Sequence, residues 1–337
     1  MTLSRIESMT GWLADVRLTS RGLQHRETGH RVPLDPSGLK DIYRWIEFDR
    51  TLRRAPTLRR EKLKICFTPK RARPWYFARS IVDHLGAELV ENPAEAEIVW
   101  SFEDATFTKP TVVPANKIAI NAQCTDVSKT TVGRISEIAF GESLTVDPRT
   151  YHGKMVMKSE INGAHDGRMV EGPVAPTKGF VYQRLIDNRT GEGMVEDLRT
   201  TIVGGEPVLV FKKRRSEDGR FLNSNDEVEL TSLDAVFSQE EQEAIGVFAK
   251  TIKLDAGGLD VLRDRTSGKL FIVDANKTDM GPPLALPMAD KMLATRLMAE
   301  ALEDFIMGER ALRPDADTGS LRPAPSQRPT DLVEAAI

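Results

Sequence analysis

Residues 257–283 read GGLDVLRDRTSGKLFIVDANKTDMGPP, and the way this stretch folds decides how the rest is read. Leu259 and Val261 alternate with polar neighbours, a turn signal Arg265-Thr266-Ser267-Gly268 follows, and Leu270-Phe271-Ile272-Val273 resumes the apolar pattern. That pattern predicts a hairpin. Side chains two apart on a strand share a face, so Asp274 and Asn276 point the same way and Asp260 on the partner strand can face them. Two carboxylates and an amide oxygen in one small space suit a hard, oxygen-seeking cation such as magnesium. Taken alone, Asp274 and Asn276 read first as turn residues that close a strand. Their company elsewhere in the chain shifts the balance toward a site.

The chain has 337 residues, enough for two or three compact units with their own cores. Net charge is −3, so no global field drives it onto nucleic acid or an anionic membrane. Aromatic residues make up 6% and are not interleaved with basic ones, which argues against base stacking. The two cysteines, Cys66 and Cys124, form neither a disulfide framework nor a zinc spacing. No stretch approaches the roughly 20 apolar residues that span a bilayer, and the first residues carry no long apolar run of the secretory kind. A reducing, cytoplasmic setting is the expectation.

Residues 1–60 form an N-terminal extension. Residues 13–32 are mixed and suggest a hairpin, and Leu39, Ile42, Tyr43 and Ile46 suggest one face of an amphipathic helix. A basic cluster follows, from Arg53, Arg54, Arg59, Arg60, Lys62 and Lys64 to Lys70, Arg71 and Arg73. It reads either as a solvated surface or as a mouth for an anionic substrate.

Residues 61–125 alternate short apolar runs (63–67, 87–90, 97–102, 117–121) with a helical stretch, 75–85, closed by Gly86. This predicts a small parallel α/β domain, whose ligands sit at the carboxyl ends of strands, near Pro69, Ser101 and Asn121. No G-x-G-x-x-G is present, so a dinucleotide site is not indicated.

From residue 126 the elements become more specific. Asp126 or Ser128 caps a helix over 129–140, with Val132, Ile135, Ile138 and Ala139 inward and Gly141 at its end. Lys158 ends the run KMVMK and precedes Asn162-Gly163-Ala164-His165-Asp166-Gly167. Such a loop can wrap phosphates with backbone N–H groups while the ammonium neutralises charge, or be a plain surface turn. Residues 180–186, FVYQRLI, form an apolar strand, and 187–196 a polar loop. Residues 198–203 and 207–213 flank Gly204-Gly205 as a hairpin whose second strand ends in Lys212 and Lys213, with Arg214, Arg215 and Arg220 following, a basic end that hints at phosphate contact. Ser238 and Glu241 make a capping box before the stripe Ile245, Phe248, Ala249, Ile252. A last helix spans 288–307, its methionines filling core. The tail from 311 to 337 is rich in Pro, Asp, Ser and Arg and is expected to be disordered.

The order of these features resembles the ATP-grasp superfamily, and within it the amino-acid and peptide ligases of the ribosomal-protein glutamate ligase and glutathione synthetase type. The resemblance covers about residues 60–306 and is more specific over 126–306. It implies an α/β protein: an ATP-grasp nucleotide-binding and catalytic domain of α+β character (126–310), preceded by the small parallel domain (61–125), which shapes the substrate pocket. It also implies roles. Lys129 and Lys158 bind the α- and β-phosphates of ATP, and the loop from Gly163 to Gly167 closes over them. Gln183, Arg184 and Leu185 form the hinge that reads adenine, and Asp197 holds the ribose. Arg199 and Lys213 face the γ-phosphate and the acyl phosphate. Asp260, Asp274 and Asn276 hold magnesium, with manganese as an alternative ion. Family members usually carry Glu where Asp274 stands, so the shorter carboxylate must approach its metal more closely.

The implied activity is ATP- and magnesium-dependent carboxylate–amine (C–N) ligation through an acyl phosphate. Its partners would be a small carboxylate and an amine, amino acids or peptides among them, with no nucleic acid or membrane. Dimers are common in the group. Two alternatives use the same residues: an ATP-grasp kinase, and a nucleotide-binding protein without catalysis.

Overall fold

A computed structural model describes residues 16–312 apart from 21, 27–30, 60, 165, 192 and 222–224. His165, Arg60 and the tail beyond 312 therefore lie outside the described residues.

The N-terminal part is a small antiparallel sheet, β1 (Val16–Thr19), β2 (Gly22–His25) and β3 (Arg31–Val32), followed by helix α1 (Pro36–Arg54). The expected hairpin is the β1–β2 pair. Asp35 caps α1 by accepting from the Gly38 N–H at 2.9 Å. The expected inward face of α1 is corrected: Leu39 and Tyr43 are exposed, and Phe48 and Leu52 supply the burial. Packing begins in the second half of α1, so the apolar period of the first half has no core to meet.

The parallel domain forms as expected. Strands β4 (Lys64–Pro69), β5 (Glu88–Leu89), β6 (Ile98–Phe102) and β7 (Ile118–Ile120) lie in the order β5-β4-β6-β7, all pairs parallel. Helix α2 (Phe77–Leu85) ends at Gly86, which takes the left-handed conformation (φ 85°) that spares a side-chain clash. Phe77, Ile81 and Leu85 are buried on its inner face.

Helix α3 (Lys129–Phe140) starts at Ser128, whose hydroxyl accepts from the Thr131 N–H, and stops at left-handed Gly141. Val132 and Ile135 point inward, but Ile138 is exposed, against expectation, because the helix shows the sheet one narrow face. Next come β8 (Gly153–Ser159), β9 (Arg168–Gly172) and β10 (Phe180–Arg184), an antiparallel sheet in the order β10-β8-β9. The glycine-containing loop is the turn between β8 and β9. Strand β9 has too few inward apolar residues to announce itself in sequence.

The largest sheet contains β11 (Arg189–Gly191), β12 (Met194–Val203), β13 (Glu206–Ser216), β14 (Glu227–Thr231), β15 (Ala256–Arg263) and β16 (Leu270–Asn276), in the order β14-β13-β12-β15-β16 with β11 on β12. Helix α4 (Gln239–Ile252) carries the complete capping box of Ser238 and Glu241, and its stripe Ile245, Phe248, Ala249 and Ile252 is buried against this sheet. Helix α5 (Met288–Ala311) packs against α2, against β7 of the parallel sheet and against β12 and β13 of the largest sheet. One core joins Ile65, Trp100 and Ile120 to Phe211, Leu297 and Leu302. The parallel sheet and the largest sheet therefore share one core.

Asn121 is one reason. It stands at the end of β7, buried, with φ 57°. Its side-chain oxygen accepts from the N–H groups of Asp255 (2.8 Å) and Ala256 (2.9 Å), and its amide donates to the Ala256 carbonyl (2.6 Å). This strand-end residue ties the parallel sheet to the start of β15.

Candidate functional site

The hairpin that opened the sequence reading forms as β15 and β16. Asp260 lies directly opposite Asp274, with a bulge just beyond, between Asp260 and Val261. Ala275 is buried on one face while Asp274 and Asn276 are partly open on the other. The register thus sets the three oxygen-bearing side chains on one face of the hairpin. Each is already engaged. Lys129 Nζ donates to Asp274 Oδ1 at 2.5 Å and to Asn162 Oδ1 at 3.0 Å. Arg199 Nη1 donates to Asp260 Oδ1 at 2.9 Å. Asn276 Oδ1 accepts from the Thr278 N–H at 3.0 Å, the turn geometry of its alternative reading.

Cations from three directions converge here. Lys129 opens α3 and is buried. Lys158, near the end of β8, reaches across to the Val273 carbonyl at 3.2 Å. Lys213 lies opposite Asp197 in the β12–β13 ladder. Burial, reinforced by the Lys129 ammonium, pushes Lys158 down to about 8. Burial and the Arg199 guanidinium push Lys213 downward too. Burial works to raise the Asp260 carboxyl, but Arg199 and Lys213 outweigh it and hold it below the usual carboxylate range. Burial likewise opposes the charge on Arg199, and Asp260 and Asp279 more than offset this. Lys129, Lys158, Lys213 and Arg199 are therefore crowded together, and two of the ammonium groups are under-compensated. Such a cluster favours a polyanion.

Asp197 is half-buried and already engaged. Its carboxylate accepts from Arg215 Nη2 and from Asn188 Nδ2 (3.1 Å), and burial raises it against the pull of Arg215. In the hinge segment, Gln183 is buried within β10 and its Nε2 has no partner. The Arg184 N–H is donated to the Leu144 carbonyl at 2.9 Å, and its guanidinium pairs with Glu142. Strand β10 ends there, so Leu185 lies one residue beyond the last paired position. Gly163 is exposed in the β8–β9 turn with φ 70°, and Gly167 faces the Phe221 ring, which a Cβ would meet at 3.1 Å.

One site residue escapes the sequence reading, and a second is named there without its partner. Asp279 accepts from Arg199 Nη2 at 2.6 Å. It lies past the strand, where period-2 alternation gives no orientation. Arg215 belongs to the basic strand end, but its bond to Asp197 depends on the long β12–β13 register. Beyond Asn276, Thr278 Oγ1 donates to Asp104 Oδ1 at 3.1 Å, the Tyr76 hydroxyl to Asp104 Oδ2 at 3.2 Å, and Lys277 Nζ to Thr108 Oγ1 at 2.7 Å. The loop after β16 is thereby sewn to the carboxyl end of β6.

Among the described residues no group of three or more His, Cys, Asp or Glu side chains is placed to hold a metal. Two carboxylates and an amide still fit a magnesium ion that keeps phosphates and waters as its other ligands. Among the same residues, no helix is long and apolar enough to cross a membrane.

No protein-family model and no curated protein matches the chain. Among solved structures, it is similar to the ATP-grasp ligase PsnB complexed with a minimal precursor, at 12% identity, over 73% of this chain and 99% of that one, with a TM-score of 0.46. It is also similar to a D-alanine–D-alanine ligase from Bacillus anthracis complexed with ATP, at 12% identity, over 75% of this chain and 98% of that one, with a TM-score of 0.47. A third is a RimK domain ATP-grasp protein from Sphaerobacter thermophilus, at 11% identity, over 73% of this chain and 100% of that one, with a TM-score of 0.42.

Proposed function

We propose that the protein is an ATP-dependent carboxylate–amine ligase that binds the triphosphate among Lys129, Lys158, Arg199 and Lys213. The observation that carries this is the convergence of these cations on the Asp260–Asp274 pair, with Lys158 and Lys213 half-buried and short of countercharge. Lys158 and Lys129 take the α- and β-phosphates under the turn that holds Gly163 and Gly167. Gln183, Arg184 and Leu185 line the adenine, where the unpartnered Gln183 amide finds an acceptor. Asp197 reaches the ribose or holds Arg215 in place for it.

Asp260, Asp274 and Asn276 would hold magnesium, which when bound offsets the negative charge of the phosphates. The substrate carboxylate oxygen attacks the γ-phosphorus and the bond to ADP breaks. Arg199 and Lys213 stabilise charge on the transferring phosphoryl group. The amine then attacks the acyl carbon, loses a proton and expels inorganic phosphate. Enclosure by the β8–β9 turn keeps water from the acyl phosphate. No serine or cysteine nucleophile is required, and both cysteines are buried.

The test is a screen of amino acids, short peptides and dicarboxylates for stimulated ADP release with ATP and magnesium. An amide product that needs two co-substrates supports the ligase. A stable phosphorylated product from one acceptor would replace it with a kinase. Loss of turnover in Asp260→Ala and Asp274→Ala is expected, and unchanged turnover would overturn the assignment.

A further inference from the structure

We propose that Asp279 is the positioning residue that retains Arg199 when Asp260 turns to a divalent cation. The inference rests on the nucleotide reading above. Arg199 is buried and held by two carboxylates, Asp260 at 2.9 Å and Asp279 at 2.6 Å. These two are not equivalent. Asp260 is a rung of the β15–β16 ladder, opposite Asp274, on the face where a cation would bind. A cation seated there takes Asp260 as a ligand and draws it from Arg199.

Asp279 lies outside the ladder and is fixed from the other side of the cleft. Its carbonyl accepts from the Phe77 N–H at 2.9 Å, Met280 bridges to Tyr76, and Gly281 sits against the Phe77 ring. The first turn of α2 therefore holds Asp279 in place whatever Asp260 does. Gly258 shows how close the fit is. A Cβ there would stand 2.4 Å from Asp279 Oδ2 and 2.7 Å from Arg199 Nε. A guanidinium this enclosed cannot be left without a carboxylate. With Asp279 dedicated to it, Asp260 is free to be shared. Without Asp279, Arg199 depends wholly on Asp260 and competes with the cation for it.

The experiment is thermal stabilisation by the imido analogue of ATP, titrated with magnesium. In Asp279→Asn the half-saturating magnesium concentration is expected to rise roughly tenfold, the competition of a buried cation for its last carboxylate. In an Arg199→Met background the competitor is already gone, and adding Asp279→Asn is expected to leave the half-saturating magnesium concentration where Arg199→Met alone puts it. An unchanged magnesium demand in Asp279→Asn overturns the inference and leaves the nucleotide reading standing. No stabilisation of the wild type at any magnesium concentration overturns both. Should Asp279→Asn alone not fold, the comparison within the Arg199→Met background carries the test, and a magnesium demand that rises there on adding Asp279→Asn overturns the proposal.

Discussion

The Lys158 ammonium crosses from β8 to the Val273 carbonyl of β16, 3.2 Å away and one residue before Asp274. This contact joins the small antiparallel sheet to the large one across the cleft, and it places a cation in a setting that disfavours its charge. Burial and the nearby Lys129 hold Lys158 to about 8. A bound triphosphate needs the charged form. Nucleotide affinity is therefore expected to be level below pH 7 and to fall as pH rises through about 8, approaching tenfold per pH unit beyond it. Calorimetric titration of the imido analogue between pH 6.5 and 9.5 checks this. Affinity that stays level to pH 9.5 would remove Lys158 from the phosphate site.

The same group has the opposite sign for stability. Its native value lies below that of an unfolded lysine, roughly 10.4. Between the two, the unfolded chain holds a proton that the native chain has shed, so this group's contribution rises with pH across that window. Below it, both states are charged and the burial cost is fully present. Lys158→Met is thus expected to stabilise the free protein at pH 7 by on the order of 1 kcal/mol, allowing for the water its half-open position admits. It should abolish the stabilisation given by nucleotide. Thermal melts with and without the analogue read both effects, and a variant less stable than wild type would contradict the first.

The fold was legible wherever local chemistry and burial agree. The capping box of Ser238 and Glu241, the glycine stops at Gly86 and Gly141, and the paired glycines 204 and 205 are all where the sequence put them. The Asp260–Asp274 pairing was legible because hairpin alternation fixes which side chains share a face. Leu39, Tyr43 and Ile138 misled because a helical period says which face is apolar and not whether anything covers it. Asp279 and the Asp197–Arg215 bond were illegible for another reason. Each depends on contacts between residues 18 to 80 positions apart, outside or far along the ladders that sequence patterns describe.

Gly258 is expected to tolerate no side chain. Its φ is ordinary, so the constraint is space, not backbone strain. Gly258→Ala sets a methyl group against Asp279 and Arg199, which are themselves tied to Phe77 and Asp260. Overpacking of this kind costs about 1–3 kcal/mol. The predicted signature is a lower midpoint of urea unfolding at unchanged slope, with turnover lost beyond what the stability change explains. Wild-type stability would mean that the Arg199–Asp279 pair yields easily.

Asn121 offers a test of how the parallel sheet is joined to the largest sheet. Its left-handed backbone and its three side-chain bonds to Asp255 and Ala256 are separable by substitution. Asn121→Gly keeps the conformation and removes the bonds, leaving the Asp255 and Ala256 N–H groups without their acceptor. That loss is expected to cost about 2–4 kcal/mol for several buried partners. Asn121→Ala removes the same bonds and adds a Cβ at positive φ, a further cost of about 1 kcal/mol. Both variants should destabilise, alanine more than glycine, and the gap between them isolates the backbone contribution. If the joint is as tight as the shared core implies, unfolding stays a single transition in each variant. Two separated transitions would show that the parallel sheet and the large sheet melt independently once Asn121 is gone.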